Sequence, residues 1–202
     1  MTNIVFVDID GPLLPGKMHM FKENRTREKF ATPMFDPWAV RCFNVWTKYA
    51  DAKAVLSTNW VWHWEVDQLI RVMEENGLEL NWHEQPVTPK RFSSGTRFHE
   101  ILNWLEDNTD IEDDRFIAVD DDTSCAHIRN IIDEGHRDIY VAGDWIAVDY
   151  ANGISMQNFE DGCKHLGIDI DDVKEGEFGI KKLTDEEKEQ RQKDLEILSW
   201  CI

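Results

Sequence analysis

The sequence predicts an α/β protein built on a doubly wound (Rossmann-like) parallel sheet of about five strands, followed by a charged helical tail. Two observations carry that prediction. Short apolar, β-branched runs alternate along the chain with stretches of helical apolar spacing, the order that buries a parallel sheet between helices. Three of those runs stop abruptly in acids or hydroxyls, as strands do where their carboxyl ends open onto a ligand crevice. With 202 residues and 42% hydrophobic composition, the chain can bury about 70% of its unfolded surface. Global disorder is excluded, and neither a disulfide nor a structural metal is needed to hold the core.

Asn3-Ile4-Val5-Phe6-Val7-Asp8 is the first predicted strand, apolar on both faces and ended by an acid. Residues 11–35 carry Gly11, Pro12, Pro15, Gly16 and Pro33 without a period and predict a long loop. Asp36-Pro37 opens a helix, with Asp as N-cap and Pro in the first turn, and Trp38, Val40, Phe43, Val45 and Trp46 give residues 38–50 an apolar stripe. Lys53 to Ser57 predicts a second strand, residues 63–76 a helix closed by Asn76-Gly77, and residues 78–82 a weaker third strand. Pro86, Pro89 and Gly95 mark 85–96 as loop, and Phe98, Ile101, Leu102 and Leu105 share one face of a helix over 97–107. Phe116 to Val119 is the next strand and runs into Asp120-Asp121-Asp122. A helix is expected over 123–134, a fifth strand over 138–142 and a last helix over 156–166. Beyond about residue 168 the composition changes. Residues 169–202 hold eleven acids and six bases, with Thr184-Asp185-Glu186-Glu187 as a capping box before a charged helix. The expected organisation is a chemical domain over 1–168 and an appendage over 169–202, packed through Leu195, Leu198 and Trp200 or presented to a partner.

Forty acids against 22 bases leave a net charge of −18. So acidic a surface repels nucleic-acid backbone, which argues against broad duplex binding while leaving room for a local basic patch that takes one anion. Cys42, Cys125, Cys163 and Cys201 show no paired spacing and are expected as free thiols in a reducing compartment. No run reaches the ~18 apolar residues of a membrane span, and Asp8 follows Met1 too closely for a secretory signal. A soluble cytoplasmic protein is expected; the sequence sets no oligomeric state.

The chemistry concentrates at Asp8-Ile9-Asp10-Gly11, Ser57-Thr58 and Asp120-Asp121-Asp122. Parallel strands would bring these ends to one edge of the sheet. Two carboxylates ~4 Å apart repel by about 4 kcal/mol at an effective dielectric near 20, so several together require either protonation or a cation. Hard oxygens without His or Cys favour Mg²⁺ over zinc. Positions i and i+2 of a strand point the same way, so Asp8 and Asp10 can serve one site, one attacking phosphorus while the other handles the leaving-group proton. Gly11 lets the chain turn close to the ligand. A phospho-accepting signalling domain would carry its acceptor after a middle strand, whereas this pair follows the first.

The ordered set resembles the haloacid dehalogenase (HAD) superfamily of phosphohydrolases. It consists of a strand ending in DxDG, a strand ending in Ser or Thr, a basic residue near 90–97 and a strand ending in DD. More narrowly, Leu56-Ser57-Thr58-Asn59-Trp60, Glu100-Ile101 with Trp104-Leu105, Asp120-Asp121-Asp122 and Gly153-Ile154-Ser155 are similar to HAD domains associated with RNA-repair proteins and phages. Ile117 to Asp121 is also similar to the phosphatase half of phage polynucleotide kinase-phosphatases. The likeness covers roughly residues 3–167. It implies Asp8 as nucleophile, Asp10 as general acid/base with its carbonyl toward Mg²⁺, Ser57 on the phosphoryl oxygens, and Asp120 and Asp121 as metal ligands. Asp122 would lie one step behind them, and Thr58, Asn59 and Gly11 would border the substrate. The basic member is Arg97 or Lys90; Arg97 better matches the family position, although the family more often uses Lys.

Lys17, Lys22, Arg25, Arg27 and Lys29, and again Lys90, Arg91 and Arg97, form basic islands in an otherwise acidic chain. With no separate cap domain between Asp10 and Ser57, they suggest an open site for a nucleotide or a nucleic-acid terminal phosphate. Trp62 or Trp64 is a candidate for stacking a base, and Trp60 for a structural role. The competing expectation is a catalytically silent binding or regulatory module on the same scaffold.

Overall fold

The structure is a computed structural model, and it describes residues 2–25, 33–89, 97–109, 115–121, 143–179, 184–187 and 189. The chain divides into two compact units, Met1–Ile168 and Asp169–Ile202.

In the first unit, β1 (Asn3–Val7) is followed by a 3-10 turn (Gly16–Met20) and a short helix α1 (Lys22–Arg25). Then come α2 (Pro37–Tyr49), β2 (Ala52–Leu56), a second 3-10 turn (Asn59–Trp62), α3 (Val66–Glu75), β3 (Trp82–Val87), α4 (Arg97–Asn108) and β4 (Arg115–Asp120). The unit closes with β5 (Gly143–Ala147) and α5 (Met156–His165). All five strands are parallel, in the order β3-β2-β1-β4-β5. This is the five-stranded α/β sheet expected from the alternating pattern. The chain starts in the centre, builds outward to one edge, and returns to add β4 and β5 on the other side of β1. The β1–β4 gap is thus the point where strand order reverses, the place where open α/β sheets bind ligands.

Alternation along β1 sends Ile4 and Phe6 to one face. There they pack with Val55, Ala118 and the apolar side of α4, namely Phe98, Ile101, Leu102, Trp104 and Leu105. Phe6 meets Trp104 edge-on at 5.4 Å. Elsewhere α2 packs against β2, and α5 against β4, β5 and α2. Trp46, fully buried, stacks on Phe159 at 6.0 Å and donates its indole N–H to the Phe159 carbonyl at 3.2 Å. Asp36 caps α2 by accepting from Trp38 N–H, and Lys17 reaches Asp36 at 2.6 Å, tying the first loop to that helix. The loop after β5 fastens it again: Gly16 and Lys17 donate to the carbonyls of Tyr150 and Ala151.

Three elements depart from the expected positions. The third strand is Trp82–Val87, not 78–82, and so occupies part of the stretch expected as loop. Pro86 is compatible with it because β3 is an edge strand, where a missing N–H costs no ladder bond. The fifth strand is Gly143–Ala147; the expected 138–142 lies outside the described residues, as do the expected helix 123–134, Asp122, Lys90, Arg91, Arg27, Lys29, Cys125 and Cys201. The 11–35 loop holds a 3-10 turn and α1. Cys42 and Cys163 are buried free thiols, pushed up in pKa chiefly by burial, Cys163 to about 11.

The second unit contains α6 (Ile170–Phe178), capped by Asp169 and ended by Gly179 in the left-handed region at φ +67°. Thr184 and Glu187 exchange capping hydrogen bonds at 2.7 and 3.2 Å. None of the described helices is long and apolar enough to cross a membrane.

The close contact of α5 with Trp46 yields a stability prediction. A Cβ on Gly162 would come within 2.6 Å of the Trp46 ring. Helix propensity alone favours Gly162→Ala by roughly 0.5–1 kcal/mol, whereas overpacking a filled core costs about 1–3 kcal/mol. Urea unfolding is expected to show Gly162→Ala about 1–2 kcal/mol less stable than the parent; a stabilised variant would mean the α2–α5 contact is looser than described.

Candidate active site

Strand register assembles the site. Val7 pairs with both Leu56 and Val119, so the next residues, Asp8, Ser57 and Asp120, leave three neighbouring strands at one level. Backbone bonds fix that level: Ser57 N–H donates to the Val7 carbonyl at 2.9 Å and Asp8 N–H to the Val119 carbonyl at 3.4 Å. All three are nearly solvent-free, with Asp8 at 5%, Ser57 at 2% and Asp120 at 3% exposure.

Asp8, Asp120 and Asp121 each bring a carboxylate oxygen within 4.8 Å of the others. The turn after β1 makes this possible. Gly11 has φ +85°, and a Cβ there would fall 2.6 Å from the Asp121 side chain. Gly11 thus makes room for Asp121, a more specific service than the substrate contact expected of it. The donor set fits a hard divalent cation: three carboxylates, no His or Cys, at the spacing of one ion's ligands.

Asp10 takes a different position. Its carboxylate accepts from the Trp60 indole N–H at 2.9 Å and is not one of the three clustered acids. The i, i+2 pair is therefore split, with Asp8 among the acids and Asp10 at the aromatic side.

Arg97 opens α4 and crosses to the strand ends, with its side chain 9% exposed. Its Nε lies 3.3 Å from Asp120, and its Nη2 lies 3.9 Å from Asp8 and 3.1 Å from the Asn59 side-chain oxygen. Its Nη1 donates to Glu100 at 3.0 Å. Glu100, one turn further along α4, was not expected as part of the site; its i, i+3 spacing from Arg97 was the available signal. Of the two basic candidates, Arg97 meets the acids, and Lys90 lies outside the described residues.

Thr58 is buried, caps the 3-10 turn through its hydroxyl, and hydrogen-bonds Asp8. Asn59 is exposed beside Arg97. Ser57 Oγ is buried with no hydrogen-bond partner among the described residues. A hydroxyl left so is a costly feature unless a ligand completes it.

Burial raises the Asp8 pKa well above the usual carboxylate range, and Asp120 raises it further; Arg97, Thr58 and the Ile9 N–H pull it down by less. Burial works against the Arg97 charge, but Asp8, Asp120 and Glu100 together outweigh it and raise its pKa. The metal-free pocket thus strains toward a protonated Asp8. Stability from that group is full below the unfolded carboxylate pKa of about 4 and is lost as pH rises through the raised folded value. At pH 7.5 in EDTA, Asp8→Asn is expected to melt above the parent. Mg²⁺ is expected to raise the parent's Tm, by about 2.7 kcal/mol of stability at a hundredfold excess over Kd, and to do much less for Asp8→Asn. An Asp8→Asn variant that melts lower in EDTA would show that the acids do not oppose one another.

A family model described as the HAD domain in Swiss Army Knife RNA repair proteins matches residues 4–159. That span runs from β1 into α5 and includes every residue of the pocket. No curated protein and no solved structure matches the chain. With the parallel five-stranded sheet and the acids at its central strand ends, the match over most of the chain makes it a member of the HAD superfamily, in the family of HAD domains of Swiss Army Knife RNA repair proteins.

Proposed function

We propose that the chain is a Mg²⁺-dependent phosphomonoester hydrolase that works through an aspartyl-phosphate on Asp8, with a nucleotide or a nucleic-acid terminal phosphate as substrate. The observation that carries this reading is that Asp8, Ser57, Thr58 and Asp120, all buried, end neighbouring strands at one level, with Asp121 among the acids and Arg97 reaching Asp8 and Asp120. The family's association with RNA repair supports a nucleic-acid end as substrate.

Asp8 attacks phosphorus through a carboxylate oxygen as the ester P–O bond breaks. Asp10, oriented by Trp60, gives its proton to the departing alkoxide, so the alcohol leaves neutral. Ser57 Oγ–H and the Arg97 guanidinium receive the phosphoryl oxygens, with Arg97 held by Glu100 and Asn59. Asp10, now ionised, takes a proton from water as that water attacks phosphorus. The acyl-phosphate bond breaks, Asp8 returns to carboxylate, and inorganic phosphate is released. Asp8, Asp120 and Asp121, with the Asp10 carbonyl, would hold Mg²⁺, which supplies the positive charge that keeps Asp8 ionised and neutralises the incoming phosphate.

The site lies within the 1–168 unit, and 169–202 is read as an appendage outside the chemistry. Cytoplasmic action fits the buried free thiols Cys42 and Cys163. Retention of the acids, the hydroxyl and the arginine together weighs against the catalytically silent alternative.

A Mg²⁺-supplemented screen over 5′- and 3′-nucleoside monophosphates and phosphate-ended oligonucleotides tests the reading. Phosphate release is expected, lost in EDTA and in Asp8→Asn. Asp10→Asn is expected to lose roughly 10²–10⁴-fold in kcat on an alkyl phosphate. Unimpaired turnover by Asp8→Asn would sink the covalent mechanism, and silence across the whole panel would sink the hydrolase.

A further inference from the structure

Beside the acid cluster lies a cavity of about 370 Å³, lined by Asp10, Pro33, Asn59, Trp60, His63 and Trp64, within the usual range of small-molecule sites. Four of its six lining residues, Asn59, Trp60, His63 and Trp64, come from one short piece of chain. Thr58 caps the 3-10 turn Asn59–Trp62, and both His63 and Trp64 donate backbone N–H groups back to the Trp60 carbonyl, at 2.9 and 3.0 Å. The turn brings Trp60 and Trp64 to one side, stacked 6.0 Å apart and 25° from parallel. Trp62 from the same turn is 40% exposed and does not line the cavity.

Two hydrogen bonds join this cavity to the phosphate site. Trp60 donates to Asp10 at 2.9 Å, and Asn59 accepts from Arg97 at 3.1 Å. Asp10 matters most, because a general acid stands where the leaving oxygen departs. A cavity that has Asp10 in its wall lies on the leaving-group side. Its other walls include two indoles, an imidazole and a prolyl ring, and among the described residues no Lys or Arg lines it. Such a surface suits a flat ring. Asn59 spends its oxygen on Arg97, so what it still has to offer a ring edge is its amide N–H₂ donors.

We propose that this cavity is a nucleobase pocket, in which Trp64 and His63 stack the base of the nucleoside whose phosphate is transferred to Asp8. The inference rests on the phosphatase reading and deepens it. The leaving group is a nucleoside, recognised by its π-face, and the pocket is tolerant of base identity because stacking is. The same chemistry serves a mononucleotide or the terminal residue of a strand.

The test compares kcat/KM for nucleoside 5′- and 3′-monophosphates with that for ribose 5-phosphate, in the parent, Trp64→Ala and Trp64→Phe. A second arm uses phosphate-ended oligonucleotides with an intact or an abasic terminal residue, which separates a strand from a mononucleotide. The parent is expected to favour base-bearing substrates. Trp64→Ala is expected to lower that preference about fivefold or more, the low end for a stacked base, and Trp64→Phe to keep most of it. Using the ratio guards against a variant that merely folds less well. A parent without base preference, or a ratio unmoved by Trp64→Ala, would overturn the proposal. If no phosphoester turns over, the phosphatase reading fails on its own. Indole fluorescence then decides the pocket: quenching by AMP but not by ribose 5-phosphate, lost in Trp64→Ala, upholds it, and no quenching overturns it.

Discussion

Carboxylates on adjacent parallel strands cannot be moved apart without unpicking the sheet. Val7 is in register with Leu56 on one side and Val119 on the other, and the residues that follow are fixed by backbone hydrogen bonds before their side chains have any choice. Asp8 and Asp120 are therefore held together at 5% and 3% exposure, where neither water nor distance relieves their repulsion. Charges this close, in a medium less polarisable than water, interact by several kcal/mol at ~4 Å. That is a large fraction of the ~5–15 kcal/mol by which a domain is stable. A fold that keeps such an arrangement has stored electrostatic strain at one spot, and the strain favours whatever positive charge arrives there.

Arg97 supplies part of that charge from within the chain. It stands at the start of α4, whose apolar residues Phe98, Ile101 and Leu102 pack under the sheet, so the guanidinium is delivered to the strand ends by a rigid element. Glu100 and Asn59 occupy two of its nitrogens. This leaves a cation that neutralises without closing the site, since Asp8 at 3.9 Å is near but not tightly paired. A lysine at that position would give a point charge without the fork that meets Asp120, Asp8 and Glu100 at once. Around it, Gly11 is the other necessity: only a residue without Cβ can both take φ +85° and let Asp121 close in.

Much of this was legible in the chain itself, for a physical reason. Central parallel strands are buried on both faces, so Ile4 to Val7 and Phe116 to Val119 announce themselves as apolar runs, and the acids that end them stand out. Edge strands lack that signature. Trp82–Val87 carries His83, Glu84, Gln85 and Pro86, which read as loop, and Gly143–Ala147 begins with Gly and Asp. Strand order was likewise invisible, because it depends on pairings between residues distant in sequence, such as Asn3 with Ala52 on one side and with Arg115 on the other. Within the site, residue types at strand ends were readable, but orientation was not. Nothing in Asp8-Ile9-Asp10 tells that Asp10 turns to an indole, because that hydrogen bond spans fifty residues to Trp60. Trp60 was expected to be structural, and Trp62 was weighed with Trp64 as the stacking residue; only the turn geometry separates Trp64 from Trp62.

The central claim is that Asp8 accepts a phosphoryl group in a pocket completed by a divalent cation. Beryllofluoride forms a tetrahedral adduct on such a carboxylate without any knowledge of the substrate. Fluorine NMR of the protein with beryllofluoride is expected to give a bound signal that requires Mg²⁺ and is absent from Asp8→Asn. A bound signal that persists in Asp8→Asn, or none in the parent at saturating Mg²⁺, would contradict the account.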